Sequence, residues 1–191
     1  VVQSSWIYPS RYTKALIDKV DTNLQQMIKG MGIRYGCIIF SGFVNDDEDF
    51  VFFECGFRLD GSHQDEYASR KGPMNLLDIF ISHALTGDTD SVEKHYNRNP
   101  KLKCATINFY AKKGIISMIS GYEEIAKMED CSLALVYGRI GQLCTDDKAI
   151  LSQIALFSFC NESPEKLIED IDKAYAIFKT ENEKGEDMIF D

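Results

Sequence analysis

The sequence predicts an α+β chain of two small lobes that meet near residue 95. Three observations predict it. Helical periodicity opens and closes the chain, at residues 10–31 and 163–178. Short runs rich in β-branched and aromatic residues fill the space between. The character also changes across a polar connection, residues 88–101, beyond which strands dominate. The division places one lobe at residues 1–95 and a strand-rich lobe ending in a helix at residues 96–191.

Each element has its own signal. Ser10 is placed to cap a helix in which Leu16, Val20, Leu24 and Ile28 recur at four-residue spacing, with Gly30 and Gly32 at its end. Residues 37–44 and 50–57 then flank the acidic tip Asn45-Asp46-Asp47-Glu48-Asp49, which predicts an antiparallel hairpin. The tip lacks the glycine and the closing glutamate of a calcium loop, so it reads as a solvated turn. Residues 75–85 are apolar on nearly every side and predict a buried helix closed near Gly87. Strands are expected at 102–111, 115–119, 133–137 and 150–160, with turns at Lys113-Gly114 and at 138–141. The last helix is the clearest. Ser163 caps it, Pro164 occupies its first turn, and Leu167, Ile168, Ile171, Ala174, Tyr175 and Phe178 form its apolar stripe.

Composition excludes several classes. The chain has 191 residues, 45% of them apolar and 27% charged, which is ordinary for a globular protein and unlike a disordered one. Acidic residues number 30 against 21 basic, for a net charge of -9. A protein that neutralises nucleic-acid phosphates needs the opposite balance, so no nucleic-acid partner is expected. No stretch reaches the ~18 apolar residues of a membrane span, and no secretory signal is visible. Six cysteines without a CxxC pair, most of them in apolar runs, read as buried thiols of a reducing cytoplasm.

The segment richest in chemistry is Phe52-Phe53-Glu54-Cys55-Gly56-Phe57-Arg58-Leu59-Asp60-Gly61. On a regular strand Glu54, Gly56 and Arg58 share one face, while Phe53, Cys55 and Phe57 share the other. A carboxylate is a hard ligand suited to Mg²⁺, and a guanidinium can hold two phosphate oxygens at once. Gly56 leaves room between them for a ligand. On spacing alone an ordinary surface pair at a strand end is the better reading. His63 fits a solvated loop, and His83 fits a helix-end or core position. No pair of histidines has metal-ligand spacing.

These ten residues resemble the metal-binding strand of the ATP-grasp superfamily, apolar-apolar-Glu-x-Asn-x-Arg, in the branch of biotin carboxylase and the carbamoyl-phosphate synthetase large subunit. Gly72-Pro73-Met74-Asn75, the stretch from Lys113 to Ile125 and the closing Gly185-Glu186-Asp187-Met188 extend the resemblance over almost the whole chain. The implied fold is the second half of an ATP-grasp domain followed by a strand-rich C-terminal subdomain. The implied activity is that of a ligase, which uses ATP and Mg²⁺ to activate a carboxylate or bicarbonate as an acyl phosphate for capture by an amine. Carried over, Glu54 holds the Mg²⁺ bridging the ATP phosphates, with Ser41 on the preceding strand as the polar neighbour. Arg58 steadies the acyl phosphate, and Asp60, Ser62 and His63 contact substrate. Gly56 stands where the family has its Asn, and Ser41 stands near the place of a second acidic ligand. One Mg²⁺ therefore fits better than two, and a degenerate, non-catalytic binding module is the competing reading. The resemblance also implies an N-terminal ATP-grasp lobe that this chain lacks, so the chain alone should not turn over. An exposed sheet edge in the second lobe would make a homodimer unsurprising.

Overall fold

A computed structural model of the chain describes residues 4–63, 65, 76–87, 101–145 and 152–190. The expected connection at 88–101 falls almost wholly outside them, as do Gly72-Pro73-Met74-Asn75 and the start of the strand expected at Ile150. The chain divides into two units. One comprises Pro9–Asn99, the other Val1–Tyr8 together with Pro100–Asp191. The boundary thus lies at residue 99, and the first eight residues belong with the second unit.

In the first unit, helix α1 (Thr13–Leu16) runs through a π-helical turn, Ile17–Asp21, into α2 (Thr22–Gly30). The π turn accounts for the sequence pattern. Residues four apart drift by about 40° around an α-helix, and a wider turn takes up part of that drift. Leu16, Val20, Leu24 and Ile28 are accordingly all half-buried. Ser10 does not cap the helix. Its Oγ accepts from the Tyr12 amide at 3.1 Å and its carbonyl from the Thr13 amide at 3.0 Å, so it makes the turn that precedes the helix.

Strands β2 (Ile39–Val44) and β3 (Phe50–Gly56) form the expected antiparallel hairpin. Lys19 holds its acidic tip. The ammonium donates to the carbonyls of Asp47 at 2.9 Å and Glu48 at 3.0 Å, and pairs with Asp49 at 3.3 Å. Helix α3 (Leu76–Thr86) ends at Gly87, whose φ of 74° only glycine adopts freely. The expectation of a buried helix is corrected here. No residue of α3 is buried, and Leu77, Ile81 and Leu85 form an exposed apolar row, Leu85 at 80%. Indeed none of the described residues of 9–99 is buried.

The core lies in the second unit. Its first sheet is antiparallel, in the order β1 (Ser5–Tyr8), β4 (Lys103–Tyr110), β8 (Gln153–Asn161), β6 (Cys131–Val136). A three-stranded sheet, β7 (Leu143–Cys144), β5 (Gly114–Ser120), β9 (Lys179–Asn182), stands beside it. A short helix, α4 (Tyr122–Ala126), follows β5, and α5 (Pro164–Ile177) packs on β4 and β8. Phe109 is the hub. Its ring meets those of Phe178 at 4.6 Å, Tyr175 at 5.0 Å and Phe157 at 5.8 Å between centroids.

Ser163 caps α5 as expected, its Oγ accepting from the Lys166 amide at 3.2 Å, with Pro164 in the first turn. The stripe needs a correction. Leu167, Ala174 and Phe178 are buried and Ile171 packs on them, whereas Ile168 and Tyr175 are exposed along the flanks. Asp170 is buried instead. Its Oδ1 accepts from Lys166 Nζ at 2.9 Å, its buried Oδ2 has no hydrogen-bond partner among the described residues, and the Asp130 carboxyl lies beside it.

Burial holds the Asp130 carboxyl above its ordinary range. The facing Asp170 acts in the same direction, against the Asn161 amide and the Lys166 charge. A carboxyl raised in the folded state stabilises it when protonated. That contribution is complete below about pH 4 and is lost as pH climbs through the raised value. Asp130→Asn keeps a donor toward Asp170 at every pH. Its stability relative to wild type should therefore improve steadily between about pH 4 and 7 in denaturant titrations. A difference that stays flat over that range would count against the shared proton.

Candidate functional site

The residues singled out in the sequence lie on and after the β2–β3 hairpin. Ser41 and Glu54 are direct partners across its ladder. Next to them the register shifts: Gly42 faces Phe52, so Phe53 is an extra residue in β3. This bulge changes the expected faces. Paired Ser41 and Glu54 share a side, Phe43 lies on the same side two residues along, and the Phe43 and Phe53 rings are 4.9 Å apart. Phe53 therefore projects with Glu54, not away from it. Phe43 and Val51 are also ladder partners, and Phe43 (69%), Phe53 (61%) and Val51 are all exposed. The result is an open aromatic face carrying a single carboxylate.

Gly42 is required for it. A Cβ there would stand 2.8 Å from the Val51 carbonyl oxygen, a distance that side chains do not tolerate. A glycine inside a strand is itself the sequence signal for a bulge. It is the signal that would have placed Phe43, Val51 and Phe53 beside Glu54.

The other face carries Phe40 and Phe52, whose rings meet edge-on at 5.6 Å between centroids. Leu24 and Met27 of α2 join Phe40, Phe52, Phe53, Glu54 and Cys55 around a shallow depression of about 270 Å³. Glu54 thus sits at the rim of an apolar hollow. Cys55, expected to be buried, is exposed.

Beyond β3 the remaining residues follow a loop. Arg58 folds its stem toward Gly56, its Cγ and Nε each 3.7 Å from where a Cβ on Gly56 would be, and donates from Nη1 to the Leu59 carbonyl at 3.0 Å. A Cβ on Gly56 would make only ordinary van der Waals contact with the arginine stem. Phe57 lies against Gly36, where a Cβ would come within 2.3 Å of the ring. Asp60 accompanies Cys37, whose thiol is pushed up by burial and then by the Asp60 charge. Ser62 is half-buried and His63 adopts a left-handed backbone, φ 57°. The structure therefore pairs Ser41 with Glu54 and sets Arg58 over Gly56. Asp60 is placed by the Cys37 end of β2 instead.

A magnesium site is tested by this donor set. Among the described residues no three His, Cys, Asp or Glu side chains cluster in a way that could cage a cation. Glu54 and Ser41 supply one carboxylate and one hydroxyl. Mg²⁺ often takes only one or two protein carboxylates and completes its shell with water and substrate phosphates. The residues fit an ion carried in by a polyphosphate and do not fit a site built from protein alone.

No family model matches the chain, and no curated protein sequence matches it. Solved structures do. The L-amino acid ligase from Bacillus licheniformis superposes on 96% of this chain and 45% of its own, with a TM-score of 0.81 at 14% identity. Phosphoribosylglycinamide synthetase from Anaerococcus prevotii covers 95% of this chain and 46% of its own, at 0.78 and 14%. Biotin carboxylase from Campylobacter jejuni covers 97% and 40%, at 0.69 and 13%. The chain spans less than half the length of these proteins. No helix among the described residues is long and apolar enough to cross a membrane.

Proposed function

From a chain with the fold of the C-terminal part of ATP-grasp enzymes, we propose that the whole protein is an ATP-dependent ligase. It uses Mg·ATP to convert a carboxylate, or bicarbonate, to an acyl phosphate that an amine then captures. Glu54, backed by Ser41, anchors the magnesium ion that the nucleotide phosphates carry. Arg58 offsets charge on the acyl phosphate, since phosphoryl transfer depends mainly on positioning and charge stabilisation. Asp60, Ser62 and His63 contact the small-molecule substrate from the loop beyond β3. The observation that carries the reading is Glu54 set opposite Ser41 on the hairpin of this fold. Catalysis belongs to a protein that also supplies what corresponds to the upstream half of the structural neighbours. This chain alone is inactive, and the natural setting is the cytoplasm, with a homodimer as an accessible assembly. Within the ligases we place it nearest the carbamoyl-phosphate synthetase type.

Gly56 at the position of a second ligand favours one alternative, a degenerate module that binds without turnover. Ligand-dependent stability separates the two, because a ligand that binds only the folded state raises its melting temperature. In the full-length protein, Mg·ATP at a hundredfold excess over Kd should raise Tm by roughly 3–5 °C. Glu54→Gln should abolish that rise while leaving Tm without ligand nearly unchanged, since Glu54 is exposed. A protein indifferent to nucleotide sinks the ligase reading.

A further inference from the structure

We infer that Cys104 and Cys160 form a redox-active pair, a cross-strand dithiol in the second unit that closes to a cystine by exchange with a low-molecular-weight disulfide. The two are direct partners in the β4–β8 ladder, so their side chains leave the sheet on the same face. Facing residues in an antiparallel pair have Cα atoms about 4.5–5.5 Å apart, inside the range that a disulfide spans. The sulfurs are already 2.6 Å apart, close to the bond length of about 2.05 Å. The next rung has the same small polar character. Thr106 and Ser158 share a hydrogen bond of 2.7 Å between their hydroxyls, so the strands approach closely along this face.

The other cysteines of this unit are not placed to compete. Cys131 on β6 faces Phe159, which puts it on the opposite side of the sheet from Cys160, where it packs against the apolar core. Cys144 belongs to the other sheet, and Cys37 and Cys55 belong to the first unit. Access is asymmetric. Cys104 is buried, whereas Cys160 is half-buried near the end of β8, its thiol directed at Ser132 Oγ at 3.6 Å. Cys160 is therefore the entry point. Its thiolate attacks one sulfur of the small disulfide, forming a mixed disulfide and releasing one small thiol. The Cys104 thiolate then attacks Cys160 Sγ and expels the second small thiol. Two electrons and two protons pass to the small disulfide, and the chain keeps one new S–S bond.

The ring so formed joins residues 56 apart and would tie the two most buried strands of the unit. In a glutathione-rich compartment the pair stays as a dithiol, and closure reports oxidation.

The test equilibrates the full chain with oxidised and reduced glutathione at graded ratios, traps thiols by alkylation and maps peptides by mass spectrometry. The expected result is one peptide pair, Cys104 with Cys160, lighter by two hydrogens, accumulating in a single two-electron transition. Tm should rise by roughly 10 °C on oxidation. Cys131→Ser should leave the crosslink in place, and Cys160→Ser should remove it. Mapping on the wild-type chain needs no variant to fold. Crosslinks to any other cysteine, or persistent alkylation of both Cys104 and Cys160 across the whole range, would overturn the proposal.

Discussion

Phe157→Ala should cost the second unit about 3–5 kcal/mol, the range for emptying a wholly buried aromatic site. Phe157 is fully buried on β8, and its ring meets Phe109 edge-on at 5.8 Å and Phe178 at 5.5 Å between centroids. Phe178 is the residue at which α5 ends. The cavity would therefore open between the sheet and the only long helix described in this unit, where the surrounding side chains come from several elements and cannot collapse together. Domains are stable by about 5–15 kcal/mol, so the loss takes a large share of the margin. Urea titration of the full chain, followed by near-ultraviolet dichroism, measures it. Phe157→Leu keeps most of the volume and should cost far less. A loss below about 1 kcal/mol for alanine would mean that these rings do not form the core.

Gly121→Ala should cost at least about 2 kcal/mol, from two independent causes. Gly121 precedes α4 with φ 85°, a conformation that L side chains rarely adopt. A Cβ there would also fall 2.4 Å from the Ile177 carbonyl oxygen and 2.9 Å from the carbonyl carbon, both backbone atoms of the last turn of α5. Backbone cannot swing aside as a flexible side chain can, so α4 and α5 must separate. Gly141 provides the control. Its φ is 86° but the space around it is open, so Gly141→Ala carries only the conformational cost, roughly 1 kcal/mol. The difference between the two variants isolates the close approach of the chain at Ile177. Equal losses would show that no such approach exists.

Much of this architecture could be read from residue order. The hairpin, the strands of the second unit and the capped helix at 164–177 announce themselves through turn residues and periodicity. What escaped has a physical reason in each case. Strand β1 is four residues long and owes its existence to a partner a hundred positions away. Lys179-Thr180-Glu181-Asn182 is polar throughout and becomes β9 only because β5 offers it a ladder. Asp170 lies buried where an apolar residue would be expected, with Lys166 one turn earlier on the helix pairing with it. At the candidate site, Glu54 and Arg58 stood out by type, and Ser41 by being the one polar side chain near the expected place. Their surroundings did not, because simple alternation fails at the Gly42 bulge and turns Phe53 to the side of the carboxylate.

The pairing of β1 with β4 carries a topological consequence. Tyr8 and Cys104 sit on the same rung, so the chain leaves the second unit from one strand and re-enters it on the adjacent one. Residues 9–99 are, in connectivity, an insertion at what would otherwise be a tight β-turn. Two antiparallel neighbours of this kind can be joined by a loop of about 2–5 residues. In the wiring of the sheet, the segment bearing Glu54 is thus a cassette carried between two neighbouring strands. Sequence there can drift, lengthen or be exchanged without rethreading the sheet that hosts it.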